Sequence, residues 1–279
     1  MDGFTLAPHK HTYLNTYLKG NTMTWSAKQY TTFEQERTRP VRDLVAAIPD
    51  LLGRAVRLAV DLGCGPGNST EVLAQRFPGA SVTGLDNSED MLDAARKRLP
   101  GTAFSLADIA TWQPDQPQDV ILANASLQWL PDHQQLYPRL VSHLAPGGSL
   151  AVQTPDNLEE PAHRLAREVA ASGPWAATIG DVRHPARHSA DFYYALLRPH
   201  CSNVDVWRTT YFHPLAGGHA AVVEWFKGSA LRPFVAPLDE EQKAGFYAAY
   251  LQAISQAYPA LDDGTVLLPF PRLFIVASR

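Results

Sequence analysis

Leu58-Ala59-Val60-Asp61-Leu62-Gly63-Cys64-Gly65-Pro66-Gly67-Asn68-Ser69-Thr70 is the stretch that decides the fold. A short apolar run bounded by glycines reads as a buried parallel strand, and Asn68 or Ser69 reads as the cap of a helix that follows it. The glycine turn then sits at the carboxyl end of a strand. Open α/β sheets bind ligands at that edge, because the first backbone N–H groups of the next helix lack intrahelical partners and converge on the crevice. Glycines let that backbone come close.

Gly63-x-Gly65 also opens the dinucleotide fingerprint, but the third glycine of that pattern falls on Asn68. No Lys or Arg occurs from 58 to 75, and Asp61 stands at the strand tip. Both features suit a ligand with a cationic end better than a pyrophosphate. A second strand, Ala80 to Asp86, ends in an acid about 20 residues beyond the turn, followed by Asn87. An ionised carboxylate there accepts from both hydroxyls of a ribose; the alternative is a helix-terminal acid beside Ser88. A third strand, Thr102 to Leu106, delivers Asp108 and Ile109, which suit the amine and ring face of an adenine, or Asp108 simply caps. A fourth, Asp119 to Ala123, ends at Asn124-Ala125-Ser126-Leu127-Gln128-Trp129, where the reacting group of a substrate is expected.

Composition bounds the function classes. With 279 residues, 45% hydrophobic and 19% charged, the chain can bury a large core in one elaborated domain. Lys+Arg of 24 against Asp+Glu of 28 gives a net charge of −4, without the basic excess of a nucleic-acid binder. Two cysteines, Cys64 and Cys201, imply no disulfide framework and fit a reducing cytoplasm. No apolar run is long enough for a membrane span, and no secretory signal is read at the amino terminus.

Residues 1–22 are polar and without period, and are expected to form a mobile extension. Trp25, Tyr30 and Phe33 then precede a helical pattern through Val41, Leu44, Val45 and Ile48, a cover whose aromatics either close over a cofactor or simply pack. The core alternates strand and helix, which demands a parallel sheet. Ser88 caps a helix running to Arg98; another spans Asp132 to Leu144; the turn Pro146-Gly147-Gly148 feeds a fifth strand, Ser149 to Gln153. Helices follow at about 159–172 and 189–199, separated by the basic loop 183–188, either a solvated surface or a substrate contact. A sixth strand, Asn203 to Tyr211, precedes an insertion at 214–266 with a helix from Glu240 to Tyr258, and Phe270 to Ala277 reads as the last strand.

From Val60 to Asp108 the chain resembles the class I S-adenosylmethionine-dependent methyltransferases, on Asp61, Gly63-x-Gly65-x-Gly67, Asp86 and Asp108. A narrower resemblance, to the branch that esterifies a small tricarboxylic acid, rests on Tyr30 to Pro40, Leu62 to Thr70, Asn124 to Leu130, Trp207-Arg208-Thr209-Thr210-Tyr211, Leu231-Arg232-Pro233 and Phe270 to Ala277. It departs from that branch in a loop, 180–188, richer in Arg and His. The resemblance implies an α/β fold, a Rossmann-like seven-stranded mostly parallel sheet with helices on both faces, ending in an antiparallel hairpin. It implies a single domain over 23–279, with core at about 41–213 and 267–279 and a helical lid at about 214–266. S-adenosyl-L-methionine is the implied cofactor and S-adenosyl-L-homocysteine the product. The expected cofactor site comprises Asp61, Gly63, Gly65, Gly67, Asp86, Asn87, Asp108, Ile109 and Asn124, with Trp25 and Tyr30.

A carboxylate nucleophile is ionised at neutral pH, so no catalytic acid or base is expected, and no metal. A tricarboxylate needs cationic or donor partners, expected at Arg232, Arg208, Arg272, Tyr211 and His213 with Gln128 and Trp129. The competing readings are a methyltransferase for another small acid, a nicotinamide-dependent oxidoreductase and a non-catalytic cofactor-binding module.

Overall fold

The computed structural model describes residues 34–51, 53–182 and 187–279. Residues 1–22, Trp25, Tyr30 and 183–186 lie outside them. Helix α1 (Glu34–Ala46) leads into β1 (Leu58–Leu62), and strands and helices then follow as α2 (Asn68–Arg76), β2 (Ser81–Asp86), α3 (Glu89–Arg98), β3 (Ala103–Leu106), β4 (Gln118–Asn124), α4 (His133–Ser142) and β5 (Leu144–Pro155). Beyond the sheet's parallel half come α5 (Pro161–Ser172), α6 (Ala176–Ile179), α7 (Ala190–Leu197), β6 (Asn203–Leu215), α8 (Gly218–Lys227), α9 (Arg232–Val235), α10 (Glu240–Ala257) and β7 (Val266–Ser278).

The seven strands lie in the order β3-β2-β1-β4-β5-β7-β6. β1 to β5 are parallel, and β7 runs antiparallel between β5 and β6. Strand alternation divides the core into two layers. Val120 and Leu122 of β4 pack with Val41, Leu44 and Val45 of α1 and Val72 and Leu73 of α2. Ile121 and Ala123 face the other way, toward Leu136, Tyr137 and Leu140 of α4 and Tyr193 and Leu197 of α7. Both faces are covered, which is why β4 reads as an unbroken apolar run. Among the described residues no helix is long and apolar enough to cross a membrane.

Three local expectations are corrected. The cap of α2 is Gly67 at φ 88°, with Asn68 and Ser69 already inside the helix. Pro146-Gly147-Gly148 does not precede the fifth strand but lies within β5, at a register shift against β4. Gly148 allows this because a Cβ there would stand 2.8 Å from Gln118 O and 2.9 Å from Asp119 O. The last two strands are also longer than expected, paired from Asn203↔Ser278 to Leu215↔Val266, so the inserted helices spring from the tip of one long hairpin.

Those helices form their own core around Trp225, Phe226, Phe234, Phe246 and Tyr250, which also takes in Ala162, Ala166 and Val169 of α5, with Trp175 and Ile179. Tyr250 Oη donates to Ala162 O at 2.9 Å, and Ala162 N donates to Tyr258 Oη at 3.0 Å. The inserted helices therefore share one core with α5, which precedes the stretch 214–266.

Candidate active site

The turn after β1 is held from two sides. Gly63 N and Cys64 N both donate to Leu85 O, at 2.7 and 2.9 Å, and Gly65 N donates to Asp86 Oδ2 at 2.9 Å, tying the turn to the end of β2. Ser126 Oγ donates to Leu62 O at 2.6 Å, tying it to the turn after β4. The three glycines do different work. A Cβ on Gly63 would fall 2.4 Å from Ser126 Cβ, and one on Gly67 would meet Ala95 at 3.2 Å, whereas one on Gly65 would meet nothing within 4 Å. Gly65 therefore borders open space, with φ at 53°. That space is where a ligand can approach the backbone.

Asp61 is not the open recognition group that the sequence suggested. It is fully buried, and its Oδ2 accepts from Ser69 Oγ and Thr70 Oγ1, both at 2.7 Å. The hydroxyl read as a helix cap thus serves a strand carboxylate instead, pinning the first turn of α2 to β1. Burial raises the Asp61 carboxyl from 3.8 to about 6, against the lowering effect of the two hydroxyls and with added repulsion from Asp86.

Asp86 stands at the end of β2 as expected. It also touches the next turn, since Ser88 N donates to its Oδ1 at 3.0 Å. Each carboxylate oxygen thereby keeps lone-pair capacity for a ligand hydroxyl. Burial raises its pKa, opposed by backbone donors at Gly65, Ser88 and Asn87. Asn87 itself is exposed. Asp108 is exposed and shapes its own turn, its Oδ1 accepting from Ala110 N at 2.8 Å. Ile109 reaches the glycine turn, with Cδ1 3.5 Å from where a Gly63 Cβ would be, and Arg139 of α4 braces its carbonyl at 2.8 Å.

On the neighbouring strands, Asn124 and Gln153 are directly paired in register, and Gln153 is paired in turn with Phe274. Asn124 Oδ1, Gln128 Oε1 and Gln153 Nε2 are buried without a hydrogen-bond partner among the described residues. Gln153, fully buried at the end of an apolar strand, was missed; its only sequence signal is a polar amide where Leu150-Ala151-Val152 precede it. Arg272 Nη1 donates to Gln153 Oε1 at 3.0 Å. Because a guanidinium only donates, the amide's oxygen must face it, and its NH₂ is left as a pure donor.

The other expected substrate residues are dispersed. Arg208 is exposed and paired with Asp156 at 2.9 Å, and Tyr211 Oη donates to Asp43 Oδ2 of α1 at 2.6 Å. Both partners are carboxylates already on the protein. His213 of β6 is buried against the inserted helices, stacked on Trp225 at 4.7 Å; Arg232 opens α9 half-buried; Trp129 is 46% exposed.

The open space at Gly65, the acid at Asp86 and the buried acceptor at Asn124 fit a nucleoside with a cationic amino-acid end, as S-adenosylmethionine is. The fold and this crevice define a class I methyltransferase, and the family model described as a methyltransferase domain matches residues 59–148. The solved YcgJ protein of Bacillus subtilis shares the fold, with a TM-score of 0.55 over 86% of this chain and 98% of that one at 13% identity. Curated trans-aconitate 2-methyltransferases are far closer in sequence. That of Methylobacterium radiotolerans is 57% identical over 91% of this chain and 98% of its own length, and that of Rhizobium leguminosarum is 52% identical over 92% and 100%. The chain belongs to the trans-aconitate 2-methyltransferase family.

The burial of Asp61 has a measurable consequence. Its folded-state pKa of about 6 lies above the unfolded value, so between roughly pH 4 and 6 the folded protein holds the extra proton. The contribution of Asp61 to stability is then greatest at low pH and falls as pH rises through that window. Two units correspond to roughly 3 kcal/mol. Urea unfolding should show the wild type losing about that much relative to Asp61→Asn between pH 4 and 7. A difference independent of pH would contradict a desolvated carboxylate.

Proposed function

We propose that this chain transfers a methyl group from S-adenosylmethionine to a carboxylate of trans-aconitate in the cytoplasm, releasing the monomethyl ester and S-adenosylhomocysteine. The observation that carries the reading is the donor-only floor of Gln153 and Arg272, in a chain of this family. Such a floor matches an anionic oxygen, which only accepts, and is mismatched to an amine substrate.

When bound, S-adenosylmethionine supplies an electrophilic methyl group. Asp86 would accept from the ribose hydroxyls beside Asn87, the glycine backbone at 63, 65 and 67 would border the amino-acid end, and Ile109 and Asp108 would meet the adenine. Asn124 Oδ1 offers an acceptor to the ammonium. Trp25 and Tyr30 belong to the segment that precedes α1 and would exclude water. On the substrate side Arg272 and Gln153 would hold a carboxylate beside the turn that carries Gln128 and Trp129, while Tyr211 and Arg208 stay tied to Asp43 and Asp156.

The nucleophile is ionised near neutral pH, so the chain has only to place it in line with the methyl group, and such placement is worth roughly 7 to 11 kcal/mol. The histidine that touches the turn after β4 among the described residues is committed elsewhere. His133 Nε2 faces Leu127 O at 3.0 Å, which accepts only, so Nδ1 takes the Tyr193 hydroxyl at 2.7 Å. Burial holds its pKa down and keeps it neutral. Tritiated methyl transfer across a panel of di- and tricarboxylic acids tests the reading: trans-aconitate should give the highest kcat/KM, and a different best acid would reassign the substrate.

Two expectations follow from the roles of these residues. Asp86→Ala should weaken S-adenosylhomocysteine binding by about 10- to 150-fold in calorimetry, the loss expected for a charged acceptor, while the protein stays folded. Undiminished affinity would leave Asp86 as a turn residue only. Turnover at saturating substrates should be flat from about pH 6.5 to 8.5, because the substrate carboxylate titrates well below that range. A sigmoidal rise within it, abolished by one His→Ala change, would establish a general base instead.

A further inference from the structure

Two guanidiniums bracket the turn that follows β4. Arg187, half-buried, donates from Nη1 to Gln128 O at 3.0 Å. Gln128 Nε2 donates to Ala125 O at 2.7 Å, Ala125 N donates to Gln153 O at 2.8 Å, and Gln153 Oε1 accepts from Arg272 Nη1 at 3.0 Å. One path of hydrogen bonds therefore joins Arg187 to Arg272 through the turn. At its centre Ala125 has φ of 53°, a left-handed conformation that a residue with a side chain seldom adopts. Such a conformation persists where the surroundings over-determine it.

Among the described residues Arg187 has a charge and no anion to meet it. It forms no ion pair among the described residues, and its Nε is buried without a hydrogen-bond partner among them. The carboxylate whose charge reaches it, Asp156, is already engaged by Arg208 Nε at 2.9 Å. Burial lowers the Arg187 pKa without neutralising so strong a base. A guanidinium in that position is stabilised by an arriving carboxylate, to which its fork can donate two parallel hydrogen bonds.

We infer that Arg187 is a second carboxylate receptor, acting with Arg272 across the turn at 125–128, so that the site selects acids carrying two carboxylates besides the one that is methylated. The inference rests on the function proposed above and names how that substrate is told from smaller acids. The hydrogen-bond path passes through Gln128 and Ala125, next to Asn124 at the end of β4, where the reacting group is expected. A tricarboxylate engages both guanidiniums. A dicarboxylate that lacks one of the binding groups engages one.

Steady-state kinetics of the wild type, Arg187→Ala and Arg187→Lys with trans-aconitate and with dicarboxylates lacking one of its carboxylates tests this. Arg187→Ala should raise the KM for trans-aconitate by roughly 10- to 100-fold, the loss of a charged hydrogen bond, with kcat and S-adenosylhomocysteine affinity unchanged. The KM for at least one dicarboxylate should not move, and Arg187→Lys should recover part of the loss. An unaltered KM for every acid, or an equal rise for all of them, would overturn the inference, the latter marking Arg187 as a mere tie to Gln128. If the wild type itself methylates no tricarboxylate, the proposed function fails, and the inference with it.

Discussion

A buried carboxylate sets the geometry of this protein's working edge. Asp61 lies at the end of β1 with no exposure to solvent, and an ion taken out of water must be met by hydrogen bonds. Ser69 and Thr70 meet it from the first turn of α2, which fixes that helix against the strand. The intervening backbone has then to turn within a few residues, in left-handed conformations at Gly63, Gly65 and Gly67. Its freed N–H groups reach Leu85 and Asp86 on one side, and Leu62 O receives Ser126 on the other. The ends of β1, β2 and β4 are thus coupled before any ligand arrives, which is the preorganisation that a reaction governed by placement requires.

The chemistry of the two flanks differs in a way that suits methyl transfer. Toward β1 and β2 the charged groups are acids, Asp61 and Asp86, appropriate to a ligand with cationic centres and ribose hydroxyls. Toward β5 and β7 the groups are donors, Gln153 and Arg272, with Arg187 across the turn. A field running from acidic to basic along the sheet edge orients a cation and an anion toward each other. Neither half needs a proton moved, and burial, with the charges of His188 and Arg187, holds the pKa of His133 down.

Much of this was legible in the chain because it is local. The glycine stretch, Asp86 at a strand end and the strand-helix alternation up to β5 depend on neighbours within a few residues, as do the acids in the first turn of α3 and the bases in its last, which oppose its dipole. What escaped depends on contacts between distant parts. Ser69 looked like a cap because nothing nearby shows that Asp61 will be its acceptor. Gly148 looked like a turn residue because its use, passing close to the Gln118 and Asp119 carbonyls, appears only when β4 and β5 pair. Helix α5 joined the inserted helices through Tyr250 and Tyr258, partners far along the chain. Arg208 and Tyr211 looked available until Asp156 and Asp43 were brought beside them, whereas Gln153 was hidden by being one amide in an apolar strand.

If the acceptor is a carboxylate oxygen, the bond formed reports on it directly. Incubation with S-adenosylmethionine carrying a ¹³C-labelled methyl group and trans-aconitate, followed by NMR of the product, should give one labelled ester methyl in amounts equal to the S-adenosylhomocysteine released. Mild alkaline hydrolysis should then convert all of that label to methanol. Label that resists hydrolysis, on carbon or nitrogen, or S-adenosylhomocysteine formed without an ester, would contradict the account.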